Sequence, residues 1–559
     1  MRGADHLIAA LRREGVDTVF GMPGGASLAI HDALHDSPIR HVLARHEAGA
    51  GHAAEGYAKA SGRVGVALVT SGPGATNLTT PIADAFMDSV PTVFITAQVS
   101  THLQGSMAFQ ETDVIGLTHP IVKHSIAVEG PDDVARAIHE AFHIARTGRP
   151  GPVVVDVPAD ASKGPARPEA SSEPSLPGYR SRVVPNGKQL RRAAAAIAAA
   201  QRPVLYAGGG VVHAEASAEL TALARDHDLP VTTTLMALGT FPASDPRWLG
   251  MLGMHGTRVA NWAMDEADLI VAVGARFDDR VTGRLSAFAP AAKVVHVDVD
   301  AAEIGKNVEA HVPVVGDARQ ALAGIARELA ALAPDADRLA PWWARIEAWR
   351  AEHPTARPAE QGDGVIDPEA TLDALQALIG DDAIVTTDVG QHQMWAANRL
   401  RFDAPRRWLT SGGLGTMGFG LPAALGAQAA HPEATVVCVS GDGSLLLNLQ
   451  ELATAVEEDL PVKVVMLDNA ALGMVRQQQD LFWNGRRAAS GLGGALDWEL
   501  LARGFGVAAR SVDDPGDVED ALRETLAEPG PALLRVAIAP LADCLPMFVP
   551  GGPAREMIG

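Results

Sequence analysis

Cysteine and positive charge are both scarce in this 559-residue sequence. Cys438 and Cys544 are its only cysteines. Cys438 lies in an apolar run, which predicts a buried free thiol in a reducing cytoplasm rather than a disulfide or a metal site. The 67 acidic residues outnumber the 46 basic ones, and the net charge is −21. That balance argues against a nucleic-acid partner and against docking on an anionic membrane.

Long apolar runs are also missing. No run approaches the ~20 residues that cross a bilayer, and the first twenty residues predict an amphipathic helix rather than a signal or transit peptide. An apolar content of 47% with 20% charged residues is ordinary for a soluble globular protein. At roughly 150 residues per domain, the length predicts three or four domains.

Short apolar runs alternate with helix-like segments along most of the chain, as in "VGVALVTSGPG", "RPVLYAGGG" and "TVVCVSGDG". Continuous Val/Ile/Leu strands are typical of parallel sheets that helices cover on both faces. Two stretches rich in Pro and charge, 159–187 and 351–364, predict linkers. We therefore predict three doubly wound α/β domains, of which the first and third share one order of strands and glycine turns.

Glycine turns follow many of these strands. In open parallel sheets, ligands bind beyond the carboxyl ends of the strands, and glycine lets the backbone approach a ligand closely. We therefore expect several ligand-facing edges and large cofactors. The turns are Gly72-Pro73-Gly74, Gly208-Gly209-Gly210, Gly412-Gly413 and Gly441-Asp442-Gly443.

Two familiar motifs are incomplete. Residues 413–418 match G-x-G-x-x-G, but the acid expected about 20 residues later is found only as Asp442, inside another glycine turn. A nicotinamide site is therefore not favoured. His46-Glu47 begins like a zinc-protease helix, but the histidine required four residues after the first is Ala50.

The turn around Asp442 points to a metal. The next apolar strand ends in Asp468-Asn469, and neighbouring parallel strands would bring Asp442 and Asn469 to one edge. Carboxylate, amide and main-chain oxygens suit Mg²⁺, which shares ligands with phosphate, and a helix start would favour the phosphate. An aspartate that only caps a helix is the alternative.

Two charged residues have simple alternative explanations. Glu47 precedes a helix of small residues, where an acid is usually only a partner of the helix dipole. Lys123, taken alone, reads as a solvated lysine.

Together these stretches resemble the thiamine-diphosphate family, most closely the catalytic subunits of acetohydroxyacid synthase (acetolactate synthase). The resemblance runs nearly end to end. It includes "FGMPGG", "RHEAGAGHAAEGYAKASG", "TSGPGATNLTTPIADAFMDSVP", "GARFDDRVTGR", "DVGQHQMWAA", "RRWLTSGGLGTMGFGLPAALGA", "GDGSLLLNLQELATA" and "LGMVRQQQD".

The resemblance implies a domain order and a reaction. Residues 1–163 would bind the cofactor's pyrimidine, 186–345 would bind FAD, 365–540 would bind diphosphate and magnesium, and 541–559 would form a lid. The expected enzyme decarboxylates pyruvate and joins the remaining two carbons to a second 2-keto acid. With pyruvate as acceptor it gives 2-acetolactate, as in isoleucine and valine biosynthesis.

The resemblance also implies roles for residues around thiamine diphosphate. Asp442, Asn469 and the main-chain oxygen of Ala471 would bind Mg²⁺. Glu47 would bond the pyrimidine from the neighbouring subunit, so a homodimer or homotetramer is expected. Lys123 would stand at the substrate entrance. The expected cofactor-lining residues are Gln391, His392, Gly415, Met417, Gly443, Ser444, Gly473 and Met474; those expected near substrate are Gly25, Phe109, Gln110 and Gln478.

The middle domain resembles the FAD-containing members rather than the flavin-free catabolic acetolactate synthases. Since the net reaction is not a redox one, FAD would be a structural or ancestral ligand. The residues that match FAD contacts are Gly208, Gly209, Gly210, Leu235, Met236, His255, Gly274, Arg276, Asp278, Arg280, Asp298 and Asp317.

Departures from the family leave alternatives open. Gln478 replaces the usual Trp that shapes the acceptor pocket, Met22 replaces a Tyr, and Asp468 replaces an Asn. We expect a weaker preference for 2-ketobutyrate and resistance to sulfonylurea-type inhibitors, because Gln lacks the aromatic surface. Another thiamine-diphosphate carboligase or acyltransferase of specialised metabolism, or a non-catalytic paralogue, remains possible. So does a separate regulatory small subunit.

Overall fold

The computed structural model describes residues 1–168, 173–181, 184–354 and 364–559. Over these residues the chain forms three six-stranded sheets, each of them parallel throughout, with helices between the strands. This confirms the predicted fold class of three doubly wound α/β units. Parts of both predicted linkers, residues 169–172, 182–183 and 355–363, lie outside the described residues.

The first sheet is built by residues 3–163. Its elements are α1 (Gly3–Arg13), β1 (Thr18–Met22), α2 (Leu28–His35), β2 (Arg40–Leu43), α3 (Glu47–Ser61), β3 (Gly65–Val69), α4 (Pro73–Thr76), α5 (Thr79–Met87), β4 (Thr92–Gln98), α6 (Val114–Thr118), β5 (His124–Ala127), α7 (Val134–Arg146), β6 (Val153–Pro158) and α8 (Ala159–Lys163). Residues 159–163 are thus helical, with Ser162 buried, so the start of the first predicted linker was wrong.

The middle sheet follows the first linker. Its elements are α9 (Gly187–Ala199), β7 (Pro203–Ala207), α10 (Gly209–His213), α11 (Ser217–Asp226), β8 (Val231–Thr233), β9 (Trp248–Met251), α12 (Arg258–Glu266), β10 (Leu269–Val273), α13 (Asp279–Thr282), β11 (Lys293–Asp298), β12 (Val312–Val315), α14 (Ala318–Leu332) and α15 (Ala340–Glu352).

The third sheet and the C-terminal segment complete the chain. Their elements are α16 (Pro368–Leu378), β13 (Ile384–Thr387), α17 (Gln391–Arg399), β14 (Trp408–Leu409), α18 (Gly420–Ala430), β15 (Val436–Gly441), α19 (Asp442–Leu445), α20 (Glu451–Glu457), β16 (Lys463–Asp468), α21 (Gly473–Phe482), α22 (Trp498–Gly504), β17 (Ala508–Val512), α23 (Val518–Ala527), β18 (Ala532–Ala537), β19 (Met547–Phe548) and β20 (Met557–Ile558).

The order of the strands in each sheet shows which edge faces a ligand. The first and third sheets run β2-β1-β3-β4-β6-β5 and β14-β13-β15-β16-β18-β17, which is one topology used twice. The middle sheet runs β9-β8-β7-β10-β11-β12, the 3-2-1-4-5-6 order of dinucleotide-binding folds. In such sheets the ligand crevice opens where the order reverses, here after β1 and β3, β7 and β10, and β13 and β15.

Apolar side chains fill both faces of each sheet. In the third sheet, for example, Val437 and Val439 face one apolar cluster while Val436 and Cys438 face another. All seven residues of β4 are buried. Cys438 is a buried free thiol, as predicted, and Cys544 is buried and free as well. No helix in the described parts of the chain combines the length and apolar character needed to cross a bilayer.

Small residues let the first and third units pack closely through α3 and α18. A Cβ on Gly56 would clash with the backbone of Ala423, and one on Gly426 would clash with the carbonyl of Ala53. The glycines therefore permit a helix contact that larger side chains would prevent.

Candidate functional site

Two carboxylates meet at the carboxyl ends of β15 and β16, next to the point between β13 and β15 where the third sheet reverses its strand order. Gly441 at the end of β15 pairs with Leu467 of β16, so the following residues, Asp442 and Asp468, lie side by side. Asn469 comes next. The structure thus brings Asp442 and Asn469 to one edge of the sheet, as the sequence predicts.

This edge fits a divalent cation. Burial, together with the negative charge of Asp468, raises the pKa of the Asp442 carboxyl above its ordinary value. Arg535 pairs with Asp468 at 2.6 Å, so Asp468 already has its countercharge. Asn469 Oδ1 accepts one hydrogen bond, from the N–H of Ala471 at 3.2 Å, and an amide oxygen has a second lone pair. A cation would relieve the cost of burying the Asp442 charge.

Polar groups beside this edge fit a phosphate. Gln391 and His392 form the first turn of α17, whose free N–H groups favour an anion. His392 Nε2 is buried and has no hydrogen-bond partner in the described parts of the chain. Ser444 Oγ donates to the carbonyl of Val389 at 2.8 Å. A side chain on Gly473 would collide with Gln391 Oε1 and displace the Gln391 side chain.

A cavity of about 1210 Å³ runs from the third unit into the middle one. On the third unit it is lined by Gly415, Met417, Met474 and Gln478. Gly415 has a φ of +74°, a conformation that glycine adopts without strain. Met417 Cε lies 3.8 Å from the place of a Cβ on Gly443, so the Asp442 turn and Met417 are neighbours.

All twelve residues predicted to contact FAD line this same cavity. Gly208 and Gly210 lie against Gly274, and a side chain on any of the three would meet backbone of the facing turn. These turns follow β7 and β10, where the middle sheet reverses its order. His255 Nδ1 and Thr234 Oγ1 are buried without partners in the described residues, so a polar ligand would satisfy them.

Asp298 ends β11 at the same cavity. Burial raises the pKa of its carboxyl to about 6, and Oδ1 accepts the N–H of Asp300 at 2.9 Å. Burial also lowers the pKa of His255 to about 4, so this imidazole is neutral at pH 7. The cavity therefore offers neutral and acidic polar groups between glycine-rich walls, which suits a dinucleotide.

Glu47 lies elsewhere. His46 caps α3 by accepting the N–H of Ala48 at 3.1 Å, and Glu47 begins the helix, 8% exposed. Among the residues that the structure describes, Glu47, Phe109 and Gln110 are not part of the cavity lining. Phe109 is 87% exposed. Glu47 is therefore not part of the cavity wall that carries Met417, and Gly25 of the predicted substrate set is not part of the lining either.

Lys123 is held at the end of α7 rather than free in solution. Its ammonium donates to the carbonyls of Ile144 and Thr147 and lies 5.6 Å from the Tyr179 ring centroid. Burial, helped by the charge of Arg149, lowers the pKa of Lys123 to about 8. Its role at a substrate entrance stays a prediction.

Sequence reasoning did not single out three residues that the structure brings to these sites. Asn77 donates to Glu47 at 2.8 Å, Gln477 accepts from Gln391 at 2.7 Å, and Asp88 accepts from Gly413 at 2.7 Å. Asn77 and Gln477 lie inside the quoted motifs, next to glycine turns or assigned residues, which is a signal that could have found them. Asp88 also lies inside a quoted stretch, residues 70–91, but it is next to neither a glycine turn nor a residue with an assigned role.

Known families match the chain in three parts. The thiamine pyrophosphate enzyme N-terminal TPP binding domain matches residues 1–117, the central domain residues 190–325, and the C-terminal TPP binding domain residues 388–536.

Named relatives match nearly end to end. The acetolactate synthase large subunit of Parasynechococcus marenigrum is 50% identical over 572 residues, covering 100% of this chain and 91% of the relative. The probable acetolactate synthase large subunit of Methanocaldococcus jannaschii is 46% identical, covering 100% and 95%. The acetolactate synthase large subunit of Haemophilus influenzae is 44% identical, covering 100% of this chain and 98% of the relative. The chain therefore belongs to the thiamine pyrophosphate enzymes, in the acetolactate synthase large-subunit family.

Proposed function

We propose that this protein is the catalytic subunit of an acetolactate synthase, which converts two pyruvates into 2-acetolactate and CO₂. The observation that carries the proposal is the placing of Asp442 and Asn469 together at the carboxyl ends of β15 and β16, beside the strand-order reversal of the third sheet. Its relatives named acetolactate synthase support the substrate and the reaction. The domain limits 1–163, 186–345, 365–540 and 541–559 belong to the same proposal.

Asp442, Asn469 and the carbonyl of Ala471 would hold Mg²⁺, which would in turn hold the cofactor diphosphate. Gln391, His392 and Ser444 would contact the phosphate oxygens, with Gly443, Gly473 and Met474 beside them. Thiamine diphosphate, when bound, supplies an electron sink for the carbanion left by decarboxylation. Gly415 would accept a hydrogen bond from the cofactor's amino group, and Met417 would support its bent shape.

Glu47 would act at a site that it shares with a second copy of the chain. Its carboxyl would hold a proton against the pyrimidine ring nitrogen, which is acid–base work by a positioned side chain. The hydrogen bond from Asn77 fixes the direction of that carboxyl. The absence of Glu47 from the lining of the Met417 cavity in one chain supports a homodimer or homotetramer with active sites between subunits.

FAD would fill the middle-domain part of the cavity as a structural ligand, since the net reaction transfers no electrons to it. The glycine walls, the unpartnered His255 and Thr234 atoms and the sheet order support this assignment. Gly25, Phe109, Gln110 and Lys123 would serve the substrate side. A reducing cytoplasmic setting suits the two free thiols, and the large-subunit relatives make a regulatory small subunit a further proposal.

A second candidate is another thiamine-diphosphate carboligation. Gln478 favours it, because this side chain lines the cavity where family members carry an aromatic ring. A non-catalytic paralogue is less well supported, since Glu47, Gln110, Asp442 and Asn469 are all retained.

The test is to incubate the purified chain with thiamine diphosphate, Mg²⁺ and FAD, then offer pyruvate with and without 2-ketobutyrate. We expect 2-acetolactate and CO₂ in equal amounts, identified by mass spectrometry, and a yellow protein. No carboligation product from pyruvate, with both cofactors demonstrably bound, would contradict the proposal. A product with a different acceptor would favour the second candidate.

A further inference from the structure

The first unit of the same chain holds the glycine turn before Met417 through hydrogen bonds. Asp88 caps the end of α5 and is buried. Its Oδ1 accepts the N–H of Gly413 at 2.7 Å, and its Oδ2 accepts the N–H of Gly412 at 3.1 Å. One carboxylate thus binds two successive backbone amides of the loop 410–416.

Lys59, near the end of α3, supplies the countercharge. Its Nζ donates to Asp88 Oδ2 at 2.8 Å and to the carbonyl of Thr410 at 2.6 Å. Burial opposes the charge on Lys59, but the attraction of Asp88, followed by Asp84 and Glu55, outweighs it and raises the pKa of the ammonium. Lys59 therefore stays charged inside the protein and bonds the same loop.

A third contact sets the shape of the loop. Ser411 Oγ donates to Asp84 Oδ1 at 2.8 Å and accepts the N–H of Thr416 at 2.8 Å. Two turns of α5 thus hold the loop through Asp84 and Asp88. The approach is too close for side chains, because a Cβ on Gly413 would lie 2.9 Å from Asp88 Oδ1.

The middle unit holds the same end of α5. Arg276 Nη1 donates to the carbonyl of Met87 at 2.7 Å, and a side chain on Gly412 would collide with Met236. The three units of the chain therefore meet at Met87-Asp88, with the glycine loop between them. No other role described so far uses Asp88, Asp84 or Lys59.

We propose that Asp88 is a positioning residue, which with its partner Lys59 fixes the loop 410–416 so that Gly415 and Met417 face the cofactor pyrimidine. That the group facing Gly415 is the cofactor pyrimidine rests on the proposed function. The hydrogen bonds by which Asp88 and Lys59 hold the loop do not depend on it. In the dimer, the first unit of each chain would then serve two sites. Glu47 would act in the partner's site, and Asp88 would arrange the site of its own chain.

The test compares Asp88→Asn with Lys59→Met/Asp88→Asn and with Asp245→Asn. An asparagine at position 88 has one oxygen for two glycine N–H groups, and its own NH₂ must face a donor. The double variant removes both charges, so it separates charge balance from the hydrogen bonds. Asp245 is a matched control, because it is a buried carboxylate in the middle unit that pairs with Arg225 at 2.7 Å and accepts the N–H of Arg247.

Hydrogen exchange of the peptide spanning 409–419, measured without cofactor, reports how firmly the backbone amides of the loop are held. In Asp88→Asn we expect at least about 10-fold faster exchange of its amides. With the cofactors and pyruvate, kcat should fall at least about 10-fold while KM for pyruvate changes less than about 2-fold. The double variant should regain thermal stability but keep the fast exchange and low kcat. Asp245→Asn should lower Tm without changing loop exchange or kcat.

Wild-type exchange of the loop in Asp88→Asn would overturn the proposal. Recovery of kcat in the double variant would overturn it too, because Asp88 would then serve only to balance Lys59. If Asp88→Asn does not fold, the charge-balanced double variant provides the same exchange measurement. If the wild-type chain makes no acetolactate, the proposed function fails, but the exchange result still decides whether Asp88 holds the loop.

Discussion

Asn77 Nδ2 donates a hydrogen bond to Glu47 Oε2 over 2.8 Å. Asn77 follows the glycine turn after β3, and Glu47 begins α3 after β2. The contact joins two loops at one edge of the first sheet. It leaves Glu47 Oε1, which faces Gly74, as the oxygen able to serve another group.

Replacing Glu47 by Gln should lower kcat for acetolactate formation by about 100- to 10,000-fold, the usual contribution of a positioned acid–base group. Thiamine diphosphate should still bind, because the residues proposed to contact its diphosphate lie in the third unit. Asn77→Ala should lower kcat by about 10-fold through misdirection of the carboxyl. Thr76→Ala, which removes an exposed hydroxyl bonded to Pro73, is the control. Equal kcat in Glu47→Gln and wild type would remove Glu47 from the mechanism.

Mixing two inactive variants tests whether the site is shared between subunits. In a heterodimer of Glu47→Gln and Asp442→Asn, one of the two shared sites is fully wild type and the other carries both changes. Random pairing makes about half of the dimers mixed, so co-expression should restore about a quarter of the wild-type activity per dimer. A site within a single chain predicts no restoration. Each variant expressed alone is the control.

Removing the carboxylate of Asp442 should remove the metal. We expect Asp442→Asn to weaken Mg²⁺-dependent binding of thiamine diphosphate at least about 100-fold, as measured by calorimetry. Asp468→Asn is the matched control beside it. Its carboxylate is already paired with Arg535, so its loss should cost less than about 10-fold. The reverse order of effects would make Asp468 the ligand.

Gln478 should govern the second substrate. Gln478→Trp adds aromatic surface to the cavity wall and should raise the ratio of 2-ketobutyrate to pyruvate products about 10-fold or more. It should also make the enzyme sensitive to sulfonylurea-type inhibitors, which we expect the wild type to resist. Gln478→Leu separates aromatic surface from apolar size. A strong preference for 2-ketobutyrate in the wild type would contradict this assignment.

His41 should make stability depend on pH. Burial, followed by the charge of His31, lowers the pKa of His41 to about 4. Between pH 6.5 and 4, His41 is therefore protonated in the unfolded chain but neutral in the folded one. This difference destabilises the fold as pH falls. Relative to wild type, His41→Gln should gain at most about 1.4 kcal/mol of unfolding free energy per pH unit over that range.

Urea unfolding at pH 8, 7, 6 and 5 measures this gain. Between pH 7 and 8, His41 is neutral in both states, so the difference between the two proteins should be constant there. A difference that stays constant down to pH 5 would mean that His41 titrates normally in the folded protein.

Much of the third unit could be predicted from its sequence. The apolar run and the Gly441-Asp442-Gly443 turn predict a buried strand that meets a helix, and the structure has β15 ending at Gly441 and α19 beginning at Asp442. The parallel register then brings Asp442 and Asn469 to one edge. Local prediction failed at 159–163, because composition suggested a linker whereas burial of Ser162 against the first unit makes a helix.

The sequence by itself determined the kind of fold, the family and the sheet edge at which Asp442 and Asn469 meet, because strand periodicity, glycine turns and strand-end acids are local features. Only the tertiary structure decided that Glu47 stands apart from the Met417 cavity, that twelve separated residues share one cavity, and that Asp88 holds the glycine loop. Asp88 and Gly413 are 325 residues apart in the chain. A contact over such a separation depends on how whole units pack, and no local pattern records it.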